Sequence, residues 1–304
     1  MIVGIDIGGT KTHVVVADTT DVLDVVVPSS SWQHGGLFGD AGNAARLVDL
    51  FAQAVNDRAS TPLAIGAHGC DFEDQCDAFH RAVAAVWPGA VRVVNDARLL
   101  APAYGVDDAI AMIVGTGSIV TGVTADGQPV SAGGHGWLLG DPGSAPALAR
   151  EAVRAVGRAL DTGHRRDGLA EALMGAYGVR HEVDLIHRFT SDPTIGSWAA
   201  LARTVFDAAD AGSSLAAEVI DAAAYQLIDD VLHVRRRGAI GTNVVAAGGV
   251  VTNQPRLFDA ICAHAHEADP DLDLHLLRIP PVRGALELAR RLKEPATRGG
   301  SDEA

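Results

Sequence analysis

The sequence predicts an α/β protein made of two related halves, and three observations lead there. Each half opens with three short strand-like runs and then alternates helical with strand-like segments. Each carries a glycine-rich turn after its first strand, Gly8-Gly9-Thr10 in one and Gly115-Thr116-Gly117-Ser118 in the other. Hydrophobic residues make up 48% of the chain but aromatics only 5%, so Ala, Val, Leu and Gly supply the core. That mix suits buried parallel strands with helices packed closely on them. With 304 residues the chain is long enough for two lobes, each with its own core.

In the first half, Met1 to Ile7, Thr12 to Asp18 and Val22 to Pro28 are β-branched runs separated by turn residues, a three-stranded meander. Asn43 to Asn56 has helical periodicity, Leu63 to Gly69 is a buried-type strand, and Asp74 to Trp87 a helix. Val91 to Asp96 is a further strand, and Arg98 to Tyr104 a short helix that Gly105 can end. The pattern then restarts with strands at Ala109 to Gly115, Ile119 to Thr124 and Gln128 to Ala132. An Ala-rich helical region follows from Ala145 to Gly238. A strand at Asn243 to Ala247, a helix from Pro255, a strand at Leu272 to Ile279 and a last helix near Val282 complete the chain. The expected lobes are 1–105, completed by the helix 282–293, and 106–281, with a flexible polar tail over 294–304. Two similar lobes imply a cleft between them, where ligands usually bind.

Composition excludes several functions. The formal net charge of −14 disfavours nucleic acid and anionic membranes. Arg235, Arg236 and Arg237 are the one basic cluster, read as a solvated helix end. No apolar run approaches the roughly 20 residues that span a bilayer. The chain opens directly into an apolar strand, without a leader pattern. Cys70, Cys76 and Cys262 form neither a CxxC motif nor a paired framework, which points to reduced thiols in the cytoplasm. His264 and His266 are two residues apart and do not share a helix face, so they are no metal pair.

The chemistry concentrates in the glycine turns. Asp6 lies near the end of a buried apolar strand, where a carboxylate is costly unless something cationic or hydrogen-bonding compensates it. A hydrated Mg²⁺ accompanying ATP phosphates would do so. Gly8 and Gly9 let backbone approach a phosphate, and Thr10 and Lys11 offer donors; an ordinary glycine hairpin is the competing reading. The segment is not a Walker P-loop, because Thr10 separates the second glycine from Lys11 and the turn joins two strands. Gly115, Thr116 and Gly117 sit in the same strand–turn–strand context. Gly248, Gly249 and Asn253 belong to a small-residue turn, Ala246 to Asn253, against which a flat adenosine would lie; a plain strand-to-helix turn is the alternative.

Three turns in this order resemble the actin-like ATPase superfamily, which includes sugar kinases, actin and heat-shock chaperones. VGIDIGGTKTHVVVAD resembles its first phosphate motif, AMIVGTGSIVTGV the second, and VVAAGGVVTN the adenosine motif. VVNDARLLAPAYG and PVRGALELARR resemble the two connecting segments. The implied fold is two duplicated actin-like ATPase (ribonuclease H-like) lobes with a nucleotide cleft between them. Within the superfamily, GGHGWLLGDPGS at Gly133 to Ser144 resembles the GGWGPLLGDEGS-like signature of the N-acetylglucosamine kinase branch, grouped with the BadF/BadG/BcrA/BcrD ATPases. Here His135 stands where that branch usually has Trp, and Pro142 replaces Glu.

The resemblance implies ATP-dependent phosphorylation of an aminosugar, N-acetylglucosamine or glucosamine, to the 6-phosphate, with ATP and Mg²⁺ as cofactors and a homodimer as the assembly. It makes Asp96 the general base, although Asp96 also suits a helix N-cap. Asp6 would position Mg²⁺ through water. Ser31, Trp32, His68, Gly134, His135 and Asp141 would meet the sugar; Trp32 either stacks on its face or is an ordinary packing aromatic, and a structural role for His68 and a cap or turn role for Asp141 are the competing readings. Two other classes compete. An ATPase activator of a 2-hydroxyacyl-CoA dehydratase would need cysteines for a shared iron–sulfur cluster. A sugar-responsive repressor would carry a DNA-binding domain before the first motif.

Overall fold

The computed structural model describes residues 1–163, 167–191 and 193–293. The expected flexible tail, 294–304, lies outside them. The chain divides into two compact units, Met1–Asp107 with the C-terminal segment from Ile279, and Asp108–Arg278.

The first unit is built on a five-stranded sheet. Its strands are β1 (Ile2–Ile7), β2 (Lys11–Ala17), β3 (Asp21–Pro28), β4 (Leu63–Ala67) and β5 (Val91–Asn95), in the order β3-β2-β1-β4-β5. The first three form an antiparallel meander, and β4 and β5 add in parallel. Alternation of side chains sorts the residues between two faces. Val3, Ile5, Ile7, Val14 and Val16 pack with Leu47, Phe51, Phe79 and Trp87 on one face. Ile2, Val15, Ala17, Ala64 and Val94 meet Val282, Ala285, Leu286 and Ala289 of the helix Val282–Lys293 on the other. Gly4 allows that second contact, since a methyl group there would lie 2.7 Å from the Leu286 backbone nitrogen.

The second unit repeats the plan. Strands β6 (Ala109–Val114), β7 (Ser118–Val123), β8 (Pro129–Gly133), β9 (Asn243–Ala247) and β10 (Asp273–Leu276) run in the order β10-β9-β6-β7-β8. Read from β8, this is the same meander followed by two parallel strands. The internal duplication seen in the turns is therefore a duplication of topology. Between β8 and β9 the described residues form the helices Ala145–Asp161, Gly168–Tyr177, Glu182–Ser191, Ile195–Ala199, Ala202–Asp210 and Ser214–Arg236. One apolar cluster joins several of them to Ile110, Met112, Val114 and Val120 of the sheet.

Three elements differ from expectation. The helix expected over 43–56 stops at Asp49 and is followed by a 3₁₀ turn, Ala52–Ala54. Phe51 leaves helical geometry at φ −134°, its ring packed 5.3 Å from that of Trp87. The helix expected over 98–104 is shortened to Leu100–Tyr104 by a 3₁₀ turn over Asp96–Leu99, and Gly105 ends it at φ +91°. A separate short helix, Gly249–Asn253, precedes the helix Pro255–Ala268, because Gln254 leaves helical geometry at φ −124° and ψ 84°, the α region being disfavoured before proline.

Candidate active site

The first glycine turn is held from behind by buried hydrogen bonds. Gly8 N–H donates to Lys11 O (2.9 Å), and Ser29 N–H to Thr10 O (3.0 Å). Ser29 Oγ donates to Gly8 O (2.8 Å) and lies 3.0 Å from Thr12 Oγ1, to which Trp32 Nε1–H donates at 3.0 Å. Thr12, Ser29 and Trp32 are all buried, whereas Gly9, Thr10 and Lys11 are exposed. This network corrects the expected role of Trp32. The indole is 2% exposed, lies in the core of its unit and has its N–H engaged, so it offers no face to a sugar. It acts as a brace for the turn. Trp32→Phe, which deletes that donor, is expected to lower stability by about 1–2 kcal/mol, read by thermal denaturation. Ser31 is exposed, with its hydroxyl donating to Pro28 O (2.6 Å).

Sheet register brings the next residues together. Ile7 of β1 pairs with Ala67 of β4, and Ala67 with Asn95 of β5. Gly8, His68 and Asp96 therefore leave the carboxyl ends of three adjacent parallel strands in one row, where open α/β sheets bind ligands. His68 N–H donates to Ile7 O (2.8 Å), its Nδ1 lies 3.8 Å from Asp96 Oδ2, and a methyl group on Gly9 would be 3.6 Å from its ring. The competing cap role belongs mainly to Asn95. It is the N-cap of the 3₁₀ turn, its Oδ1 accepting from Ala97 N–H (3.0 Å), while its Nδ2 donates to Cys70 O (3.2 Å) and Asp71 Oδ1 (3.3 Å). Asp96 Oδ1 shares the Ala97 N–H at 3.0 Å, which leaves Oδ2 turned toward His68.

Electrostatics mark this row as costly. Burial holds Asp96 above the usual carboxylate range, against the opposing pull of His68. Asp6 is pushed up to about 6, first by burial and then by the charge of Asp96, with His13 and Lys11 opposing. No hydrogen bond among the described residues reaches the Asp6 carboxylate. A folded state that binds this proton more tightly than the unfolded chain loses stability as pH rises from the ordinary carboxylate range through about 6. Asp6→Asn is expected to flatten that part of the stability–pH curve, measured by denaturant unfolding of metal-free protein at a series of pH values.

In the second unit, Gly115 N–H donates to Gly117 O (2.8 Å), and Thr116 and Gly117 are exposed. A methyl group on Gly115 would be 3.5 Å from Gly249 N, so the second turn and the small-residue turn adjoin. Gly248 has φ +112°, and an added Cβ would lie 2.4 Å from Val114 O, which only glycine avoids. Asn253 is exposed, its Nδ2 donating to Gly249 O (2.7 Å).

The loop 133–144 is also braced. Asp141, at φ +60° and 5% exposed, accepts from Gly136 N–H (3.0 Å), and its other oxygen would lie 3.2 Å from a methyl group on Gly117. Burial raises its pKa while the Gly136 and Ser118 amides oppose. Through these amides the Asp141 carboxylate ties the loop to the second glycine turn, which gives it a bracing role beside the sugar contact expected of it. Gly134 and His135 are exposed, as are Gly136, Leu138 and Leu139 of the same loop. Trp137 packs edge-on to Trp198 (4.8 Å), itself stacked on Phe189.

Sequence reasoning missed four supports: Thr12, Ser29, Asn95 and Arg150. The last donates to Trp137 O and to Gly140 O (3.0 Å) from the helix Ala145–Asp161. Only the Asn95-Asp96 pair carried a sequence signal, as two adjacent residues able to cap.

The duplicated sheets and their glycine turns define a class, the actin-like ATPase fold. The sequence profile of the BadF/BadG/BcrA/BcrD ATPase family matches residues 3–285, and the chain belongs to that family. It is 26% identical over 306 aligned positions to the N-acetylmuramic acid/N-acetylglucosamine kinase of Clostridium acetobutylicum, covering 95% of this chain and 98% of that protein. It is 25% identical over 316 positions to the N-acetyl-D-glucosamine kinase of Dictyostelium discoideum, covering 96% and 98%. A Chromobacterium violaceum structure provisionally named an N-acetylglucosamine kinase superposes with a TM-score of 0.66 at 21% identity, covering 95% of this chain and 98% of that one. No helix among the described residues is long and apolar enough to cross a membrane.

Proposed function

We propose that this protein is an ATP-dependent aminosugar kinase that transfers the γ-phosphoryl group to the 6-hydroxyl of N-acetylglucosamine or glucosamine. The observation that carries the reading is Asp96. It stands at the carboxyl end of a parallel strand, beside His68, with one oxygen left over from capping and burial favouring its protonated form. A carboxylate with a raised pKa is a better proton acceptor near neutral pH. In the proposed reaction Asp96 takes the proton of the attacking hydroxyl, the new O–P bond forms, and the bond to the ADP leaving group breaks.

Gly8, Gly9, Thr10 and Lys11 and Gly115, Thr116 and Gly117 would contact the phosphates, with Gly248, Gly249 and Asn253 at the adenosine. The Asp6 carboxylate, without a hydrogen-bond partner among the described residues and burdened by Asp96, fits a hydrated Mg²⁺ held through water. Such an ion supplies charge neutralisation to the phosphates. On the sugar side, Ser31, His68, Gly134 and His135 are exposed and available. The reading extends to a cytoplasmic homodimer, with the assembly checked by analytical ultracentrifugation.

A coupled ADP-release assay on N-acetylglucosamine, glucosamine, N-acetylmuramic acid and glucose tests the reaction, and ³¹P NMR of the product tests the position. The acetyl group adds bulk and removes a positive charge, so one of the two aminosugars should be clearly preferred. Absence of turnover on every sugar would refute the kinase reading.

A further inference from the structure

The first unit holds a pair of thiols that the proposed reaction does not use. Cys70 follows the end of β4, 1% exposed, and Cys76 lies in the first turns of the helix Glu73–Ala84, partly exposed. The two side chains are in hydrogen-bond contact, and the Cys76 thiol also reaches Cys70 O at 3.5 Å. Their surroundings differ in kind. The Cys70 contact and the charge of Arg98 draw Cys76 toward the thiolate against its partial burial, as does its place near a helix N-terminus. The contact with Cys76, then burial and the charge of Asp71, hold Cys70 as the neutral thiol. A partly exposed, thiolate-leaning sulfur beside a buried second thiol is the arrangement of an attacking and a resolving cysteine.

The pair is wired to the candidate base. Asn95, which caps the turn that carries Asp96, donates from its Nδ2 to Cys70 O and to Asp71 Oδ1. A change in the position of the Cys70 backbone is thus passed by one side chain to the residue preceding Asp96.

We propose that Cys70 and Cys76 form a reversible thiol-oxidation site, closed by low-molecular-weight disulfides, that links redox state to the placement of Asp96. The Cys76 thiolate attacks one sulfur of RSSR, forming a mixed disulfide and releasing RS⁻. Cys70 then loses its proton and attacks the Cys76 sulfur, closing the Cys70–Cys76 bond and expelling the second RS⁻. The protein dithiol is oxidised by two electrons, and one disulfide is reduced to two thiols. In a reducing compartment such a bond is transient, as suits a sensor. The effect on turnover rests on the kinase reading above, whereas the bond itself does not.

The test uses the full chain treated with oxidised glutathione, followed by peptide mass mapping and thiol titration after unfolding. The expected result is a single intramolecular Cys70–Cys76 link, with Cys262 left free and restoration by dithiothreitol. A glutathione adduct that persists on Cys76, or no loss of thiols, overturns the site. On the preferred sugar, the oxidised protein is expected to lose about tenfold in kcat with its KM for ATP within about twofold, as for a displaced reacting group. Cys76→Ser should keep the reduced rate and resist oxidation. Equal inactivation of Cys76→Ser, or full turnover by the linked protein, overturns the coupling. If no sugar is turned over at all, the kinase reading fails and mass mapping alone decides the thiol site.

Discussion

Replacing Asp96 by asparagine is expected to lower kcat by about a thousandfold while nucleotide affinity stays within about twofold. The substitution keeps the size of the side chain and an oxygen able to accept from Ala97 N–H. The capping of the 3₁₀ turn is secured by Asn95 in any case. What disappears is the proposed proton acceptor. The electrostatics sharpen the expectation, because burial disfavours the ionised form of Asp96. A carboxyl held above its unfolded value costs stability once pH exceeds the folded value. Asp96→Asn should therefore melt no lower than the parent at pH 8, while being nearly inactive. Single-turnover kinetics with a coupled ADP assay, and calorimetric titration with ATP, read the two halves of this prediction. Retained turnover would remove Asp96 from the chemistry, and a large fall in melting temperature would make it structural.

The second large effect is expected at Gly248. Alanine there must adopt φ +112° and place its Cβ 2.4 Å from Val114 O and 2.6 Å from Val114 C, both backbone atoms of β6 that cannot move independently of the sheet. Strain of this kind costs about 3–5 kcal/mol, or about 10 °C in melting temperature for a domain of this size. Gly249→Ala is the paired control. Its φ is ordinary and nothing lies within 4 Å of the added methyl group, so the fold should tolerate it. If adenosine lies against this turn, Gly249→Ala should instead raise the KM for ATP. A normal melting curve for Gly248→Ala would contradict the clash, and an unchanged KM for Gly249→Ala would move the adenosine elsewhere.

The strands were largely legible, because β-branched runs bounded by Gly, Asp, Asn and Thr have one reading in a buried sheet. The repeated glycine turns made the duplication legible too, and the sheet orders bear it out. What sequence could not provide was any quantity fixed by packing across distance. Trp32 sits in a polar loop, where nothing local distinguishes a ligand platform from a core residue; its burial follows from Leu47, Phe51 and Trp87 closing over the sheet. Asp141 reads as a polar residue in a glycine-rich loop. Its enclosure depends on Gly117 and Gly136 approaching from both sides. With Asn95 and Asp96 both able to cap, only the observed start of the 3₁₀ turn assigns the role. The place of His68 beside Asp96 needed the parallel register of three strands, which no single segment encodes.

The return of the C-terminal helix to the first sheet has a consequence for how the protein is made. Unit 108–278 is continuous in sequence, so it can fold as soon as it has left the ribosome. The first unit, although its strands are synthesised earlier, lacks Val282, Ala285, Leu286 and Ala289 until the whole of unit 108–278 has been made. At about 5–20 residues per second, the face presented by Ile2, Val15, Ala64 and Val94 waits for roughly ten seconds or more after its own strands emerge. The unit that carries Asp6 and Asp96 is thus begun before the other and closed after it. Over that interval its uncovered apolar face is the part of the nascent chain most in need of chaperone protection.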